Sequence, residues 1–204
     1  MLAPVPNSGQ PCWRIKPSED GLVWSDEFDY AGLPDSSKWG YDVGGHGWGN
    51  KELQYYTERR KENARVEKGH LIIEARRDGA KDNEYTSARL VSKGKGDWTY
   101  HSIGTQKTSK IPVPNARTEF NLYVVEWTSN EISWYINGKH FFTFANERLT
   151  EPTADYKRWP FDKPFHLILN LAVGGTWGGT KGVDELIWPQ RMEIDYVRVY
   201  KTIK

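Results

Sequence analysis

Near its C-terminal end the chain carries RMEIDYVRVY (191–200), which sets Glu193 and Asp195 two positions apart among strand-forming residues. Alternate residues of a β-strand face the same side, so these two carboxylates share a face. Two carboxyl groups about 5 Å apart can cleave a glycosidic bond with retention, one attacking the anomeric carbon and one protonating the leaving oxygen. The attacking group must stay ionised while the acid holds its proton near neutral pH. The same spacing also describes the polar face of an ordinary strand. Little else in the sequence offers chemistry. None of the five His residues has a metal-ligand spacing such as His-Glu-x-x-His, and no nucleophile elbow or phosphate loop is present. His46 stands in a Gly-rich loop and reads as a loop side chain. Cys12 is the single cysteine, which excludes an internal disulfide and leaves a structural or incidental thiol.

The elements that must position such groups are strands. HLIIEAR (70–76) is a short apolar run ending in alternation, and EFNLYVVEW (119–127) alternates throughout. EISWYINGKHFFTF (131–144) reads as two strands about Asn137-Gly138, the residue pair that a type I′ hairpin turn requires. FHLILNLAV (165–173) and MEIDYVRVY (192–200) read as further strands. Gly and Pro punctuate the gaps, as in GGHGWGN (44–50), SKGKGDW (92–98), KIPVP (110–114) and GGTWGG (174–179). No helical period is sustained and no repeat is visible. The expected architecture is all-β, a two-sheet sandwich.

Bulk composition narrows the partners. With 28 basic and 27 acidic residues the net charge is +1, so neither nucleic acid nor an anionic membrane is expected. No apolar run of about 18 residues exists to span a membrane as a helix. The opening MLAPVPNSGQPCWRIKP shows no apolar core of signal-peptide length. Ten Trp and eleven Tyr are many for 204 residues; they serve equally as core filling and as flat faces for pyranose rings. Trp98, Trp127 and Trp134 lie in or beside strand patterns and are expected in the core.

Several segments together resemble one family. LVWSDEFDYAGLPDSSKWGYDVGGHGWGNKELQYYTERRKENARVEKGHLIIEAR (22–76) is similar to the opening of glycoside hydrolase family 16, the laminarinase-type β-glucanases. YTSARLVSKG (85–94), HSIGTQKT (101–108), VVEWTSNEISWYINGK (124–139), PFHLILNLAVGGTWGG (164–179) and MEIDYVRVY (192–200) follow in the family's order. The combination of WGNKELQYYT, NLAVGG and DYVRVY is specific, and the resemblance covers nearly all of the chain. It implies a β-jelly-roll sandwich of the concanavalin A-like kind over residues 1–204, retaining hydrolysis of β-1,3- or mixed-linkage glucan, no cofactor for the chemistry, β-glucan as partner, a monomer and an extracellular location.

The resemblance also exposes a gap. The family's catalytic strand, E-x-D-x-x-E or E-x-D-x-E, lies between the counterparts of DWTY and HSIGTQKT, yet here Tyr100 is followed directly by His101. Roughly 60 residues are absent there, judged by ordinary domain length. Glu193-Ile194-Asp195 matches the first half of the motif, but Val197 and Arg198 occupy the positions of its last Glu. The resemblance therefore leaves no catalytic residue, an apparent internal deletion between residues 100 and 101, and a sandwich incomplete by several strands. Loss of buried strands leaves unpaired edges and uncovered apolar faces in a domain whose net stability is only about 5–15 kcal/mol. A skipped exon, an assembly error or a real deletion would each produce this joint.

What remains of the family's site maps residue by residue. The resemblance makes Asn50 and Arg89 sugar-binding residues, Arg89 offering a donor fork suited to vicinal hydroxyls. Asn50 also reads as a turn residue after Gly49, and Arg89 as a surface or sheet-paired Arg. Trp48 and Trp177, each in a Gly-rich loop, flank the glucan or pack in the core. Glu52 takes a structural or cleft-wall role. The resemblance makes Asp195 a ligand of a structural calcium, joined by backbone oxygens near Glu27 and Gly69, which suits an ion taking six to eight oxygens; the plain alternative is a solvated strand face. Three functional readings follow: an incomplete form of an active endo-glucanase, a non-catalytic glucan-binding protein, or a non-functional product.

Overall fold

In a computed structural model, residues 21–92, 107–151, 153–155, 158–162 and 165–201 are described. Cys12, Trp98 and the Tyr100–His101 joint lie outside the described residues. Strands dominate: β1 (Leu22–Asp26), β2 (Trp39–Tyr41), β3 (Gln54–Tyr56), β4 (Ala64–Glu67), β5 (His70–Ala75), β6 (Tyr85–Ser87), β7 (Arg89–Ser92), β8 (Tyr123–Trp127), β9 (Glu131–Ile136), β10 (Lys139–Ala145), β11 (Ile168–Asn170), β12 (Gln190–Ile194) and β13 (Val197–Tyr200). The one α-helical turn among the described residues is α1 (Gly175–Gly178). The chain divides into two compact units. One comprises Trp24–Thr99 and Lys163–Arg198; the other comprises Met1–Val23, Tyr100–Asp162 and Val199–Lys204. Strands β1 and β13 pair with each other as a separate two-stranded sheet.

The first unit carries three small sheets, ordered β11-β7-β2, β12-β5-β4 and the parallel pair β3-β6. Period-2 alternation decides what they bury. Leu71, Ile73 and Ala75 of β5 point to one side, and Leu71 and Ile73 join Phe28, Trp39, Ala64, Val66, Ala88 and Leu90 in a buried cluster. Met192 and Ile194 of β12 and Leu169 of β11 pack against that cluster. Asp26 is buried at its rim with 1% exposure. It survives there because Trp39 Nε1 donates to it at 2.7 Å, Tyr30 Oη at 3.1 Å and Lys38 Nζ at 3.2 Å, which is how a buried carboxylate must be satisfied.

On the other face of β5, Glu74 is equally buried at 1%. Three arginines converge on it: Arg65 Nη2 at 3.1 Å, Arg191 Nε at 2.8 Å, and Arg76. Burial pushes the Glu74 carboxyl up, but the hydrogen bonds from Arg65 and Arg76 and the charges of Arg65 and Arg191 outweigh it and hold the group below the usual carboxylate range. The carboxylate thus joins β4, β5 and β12 through one charge.

The second unit contains the meander β10-β9-β8. Asn137 (φ 50°) and Gly138 (φ 76°) both adopt the left-handed region that a type I′ turn demands. Asn137 adds a second function: its Oδ1 accepts from Leu122 N at 2.8 Å and its Nδ2 donates to Asn121 at 2.7 Å. Trp134 stacks on Phe142 with centroids 5.1 Å apart, and Phe144, Trp159 and Phe161 form an aromatic cluster. Trp134 is half-buried and Trp127 is 43% exposed, its Nε1 donating to Phe161 O. The expected core placement of these two tryptophans is therefore corrected: they line a sheet face.

Three strand expectations shrink or divide. EFNLYVVEW forms a strand only from Tyr123, and FHLILNLAV only over Ile168–Asn170. MEIDYVRVY is two strands, not one. Strand β12 follows β5 from Gln190↔Ala75 to Ile194↔Leu71. Its ladder ends as β5 meets the tight turn at Lys68 (φ 55°) and Gly69 (φ 81°). Beyond Asp195 the chain pairs with β1 instead.

Replacing Glu74 by Gln is expected to cost roughly 1.5–3 kcal/mol at pH 7, the worth of charged hydrogen bonds. A depressed folded pKa gives stability that is complete above the unfolded carboxyl pKa of about 4.3 and is lost as pH falls through the folded value. Urea unfolding of both proteins should therefore show the gap closing below about pH 4.3; a gap independent of pH would rule out the charge as its source.

Candidate functional site

The chemistry-bearing side chains of the first unit gather around β3 and the loop before it. Glu52, Gln54 and Tyr56 alternate, so one side of this short segment presents a carboxylate, an amide and a phenol. Gln54 and Tyr56 have no solvent exposure. Gln54 Nε2 donates to Glu52 Oε2 at 2.8 Å, and Tyr56 Oη donates to the same oxygen at 3.2 Å. Gln54 Oε1 accepts from Val173 N at 2.7 Å, and Asn170 Nδ2 donates to Tyr56 Oη at 2.7 Å. Burial pushes the Tyr56 hydroxyl far above its ordinary range; the hydrogen bond from Asn170 opposes this and the Glu52 charge reinforces it. Tyr56 thus stays a neutral donor to Glu52.

Arg89 opens β7 opposite Asn170 of β11. Its Nε donates to Asp42 Oδ2 at 2.9 Å, and its guanidinium carbon lies 5.0 Å from the centroid of the Trp48 ring. The Trp48 ring also meets His46 at 4.5 Å and Tyr56 at 5.3 Å, and its Nε1 donates to Gly44 O at 3.1 Å. Trp48 holds φ 49°, an uncommon conformation for a non-glycine residue. The loop is closed by Gly44, paired with Tyr56 in both directions at 3.1 and 2.9 Å, and by Asn50 N and Glu52 N, both donating to Gly47 O. Trp48, Arg89 and Glu52 thus belong to one constellation, with Asp42, Gln54, Tyr56 and Asn170 joining them. His46, expected as a loop side chain, is an exposed neighbour of Trp48.

Asn50 faces another way. Its backbone and side-chain oxygens both accept from Thr176, in the turn that carries Trp177. Trp177 is 76% exposed, so the core alternative for it is excluded. Leu53 N donates to Val173 O at 2.9 Å and Glu52 bridges to Gly174, which joins the two Gly-rich loops along their backbones. Donor groups, acceptor groups and aromatic faces side by side are what recognition of a hydroxyl-rich ring requires.

Glu193 and Asp195, the pair that first suggested catalysis, flank one imidazole: His70 Nδ1 lies 4.0 Å from Glu193 and Nε2 lies 3.8 Å from Asp195. Both carboxylates are about half exposed. Glu27-Phe28-Asp29 repeats the Glu-x-Asp spacing; Ala31 and Gly32 stand where its last Glu would be. Glu27 gives both carboxylate oxygens to Arg198, at 2.9 and 2.6 Å, and these hydrogen bonds hold its carboxyl below the usual range. Its side chain is therefore committed to Arg198. The register Ile194↔Leu71 sets Asp195 beside the Gly69 turn. One solvated carboxylate with backbone oxygens is a donor set compatible with calcium. Among the described residues no cluster of three His, Cys, Asp or Glu side chains could hold a metal.

Comparison with known proteins places this arrangement. The family model for the beta-glucan synthesis-associated proteins SKN1/KRE6/Sbg1 matches residues 99–204. A beta-glucanase of Rhodothermus marinus is 45% identical over 245 aligned positions, covering 90% of this chain and 86% of that protein. The X-ray structure of the laminarinase from Rhodothermus marinus superposes with a TM-score of 0.85 at 46% identity, covering 90% of this chain and 98% of that one. A non-specific endo-β-1,3(4)-glucanase from family 16, with an oligosaccharide at its active site, superposes with a TM-score of 0.80 at 33% identity over 91% of this chain and 96% of that one. The all-β fold is thus the jelly roll of these enzymes, with sheets that are not closed among the described residues, and the chain belongs to glycoside hydrolase family 16, among its laminarinase-type β-glucan endo-hydrolases.

Proposed function

We propose that this chain binds β-1,3-glucan through Trp48, Arg89, Asn50 and Trp177 and does not hydrolyse it. The observation that carries the reading is a contrast. The arrangement in which Asp42 and Trp48 hold the Arg89 guanidinium is complete, whereas no Glu-x-Asp in the sequence is followed by the second Glu that retaining hydrolysis needs. Glu52 is engaged by Gln54 and Tyr56, and Asp42 by Arg89, which suits wall and scaffold roles. The similarity to a beta-glucanase and to a laminarinase supports β-1,3-glucan as the ligand class, and that class of polymer favours an extracellular setting.

A second reading is favoured by one observation. The alignment with the Rhodothermus beta-glucanase runs over 245 positions, more than the 204 residues of this chain, so that relative has positions without a counterpart here. This supports loss of a segment between Tyr100 and His101 from an active parent. Sequencing the transcript across codons 100 and 101 tests it: an intervening segment encoding E-x-D-x-x-E is the expected result, and an uninterrupted join excludes it.

The purified 204-residue chain should release no reducing sugar from laminarin, yet be retarded in laminarin affinity gels. Arg89→Ala is expected to weaken that affinity about ten-fold, the loss of one or more charged hydrogen bonds. Turnover that persists in Glu193→Gln would show an unrecognised catalytic pair, and unchanged affinity in Arg89→Ala would remove the basis for glucan binding.

We propose further that Asp195, with backbone oxygens of Glu27 and Gly69, holds a structural calcium. At a hundred-fold excess of calcium over Kd, binding to the folded state alone adds about 2.7 kcal/mol. Chemical unfolding with and without EGTA should show that increment and its disappearance in Asp195→Asn; an equal calcium response in the variant places the ion elsewhere.

A further inference from the structure

Asn50 and Trp177 stand 127 residues apart in the sequence, yet one contact couples them. Thr176 N donates to the backbone oxygen of Asn50 at 2.8 Å and to its Oδ1 at 3.2 Å, and Thr176 Oγ1 donates to the same Oδ1. A side-chain carbonyl has two lone pairs, and Thr176 supplies a donor to each. A sugar hydroxyl proton therefore finds no free acceptor on the Asn50 amide.

The turn that follows is built around this contact. A Cβ on Gly175, whose φ is +79°, would lie 2.6 Å from Asn50 Nδ2 and 2.9 Å from Asn50 O. Only glycine allows so close an approach in that conformation. Gly179 N then donates to Gly175 O at 2.9 Å, closing the turn around Trp177. The Trp177 indole is 76% exposed and has no aromatic or cationic partner among the described residues. Its placement comes from the backbone beneath it, and that backbone is docked through Thr176.

We propose that Asn50 and Thr176 form a clamp that positions Trp177 as a flat platform for a sugar ring. Asn50 then supports glucan affinity by holding Trp177, and Thr176 becomes a positioning residue of the site. The inference deepens the glucan-binding reading and rests on it.

Laminaripentaose binding by calorimetry tests the clamp in the full chain. Thr176→Val should weaken binding about five-fold, the order of one net hydrogen bond. Thr176→Ser, which keeps the donor oxygen, should stay within about two-fold. In a Trp177→Ala background, Thr176→Val should change nothing further, because no platform is left to position. If Thr176→Val melts early, Thr176→Ala removes the same hydroxyl and takes its place. Wild-type affinity in the hydroxyl-free variant, failure of Thr176→Ser to restore it, or an unchanged effect in the Trp177→Ala background each overturns the clamp. If Trp177→Ala itself leaves affinity unchanged, the platform and the clamp fall together. If Trp177→Ala weakens binding and loss of the Thr176 hydroxyl does not, only the clamp falls.

Discussion

A fully buried amide sets the geometry on which the site depends. Gln54 can be buried only if its oxygen and its nitrogen both find partners, because an unsatisfied buried amide costs several kcal/mol. Its oxygen takes Val173 N and its nitrogen gives to Glu52. One side chain thereby ties β3 to the segment leading out of β11 and turns the Glu52 carboxylate toward Tyr56. Tyr56 passes the constraint on to Asn170, which sits opposite Arg89 in the ladder. The polar groups of the site are therefore placed by one connected network, and networks of this kind are worth more than their separate bonds.

Charge is used in two different ways in the same unit. Asp26 and Glu74 are equally buried; Asp26 is satisfied by Lys38 together with the neutral donors Tyr30 and Trp39, and Glu74 by three arginines that join separate strands. These ion pairs are architectural. The pairing of Arg89 with Asp42 is more open, with side chains 22% and 38% exposed. Its worth lies in orientation: an Nε-bound guanidinium resting on an indole ring has lost much of its freedom before any ligand arrives, so less is lost on binding. The Trp177 turn follows the same logic with neutral groups, Thr176 and Asn50 replacing the ion pair.

Much of the fold was legible from local pattern. The Asn137-Gly138 turn, the strand at 70–75 and the absence of long helices among the described residues follow from residue chemistry and short-range periodicity. Strand extents were less legible. EFNLYVVEW and FHLILNLAV alternate or run apolar over their whole lengths, yet ladders form along only part of each, because a strand exists only where another pairs with it. The division of MEIDYVRVY has the same origin: β5 ends at the Lys68-Gly69 turn, and the chain changes partner. Of the site, Trp48, Arg89, Asn50, Trp177 and Glu52 were found through family resemblance. Asp42, Tyr56, Asn170 and Thr176 were not, since nothing in their local sequence distinguishes them from scaffold residues; the alternation of Glu52, Gln54 and Tyr56 was the one signal available.

By itself the sequence determined the strand-rich class, the family, and the lack of a complete carboxylate motif, because these are matters of residue identity and order. Only the tertiary structure decided which carboxylates are free and which are spent. Glu193 and Asp195 stay about half exposed on either side of His70, whereas Glu27 belongs to Arg198, Asp42 to Arg89, and Glu52 to Gln54 and Tyr56. Such pairings join residues up to 171 positions apart, and they are fixed by strand register and by the requirement that every buried polar group find a partner. No local pattern encodes either constraint.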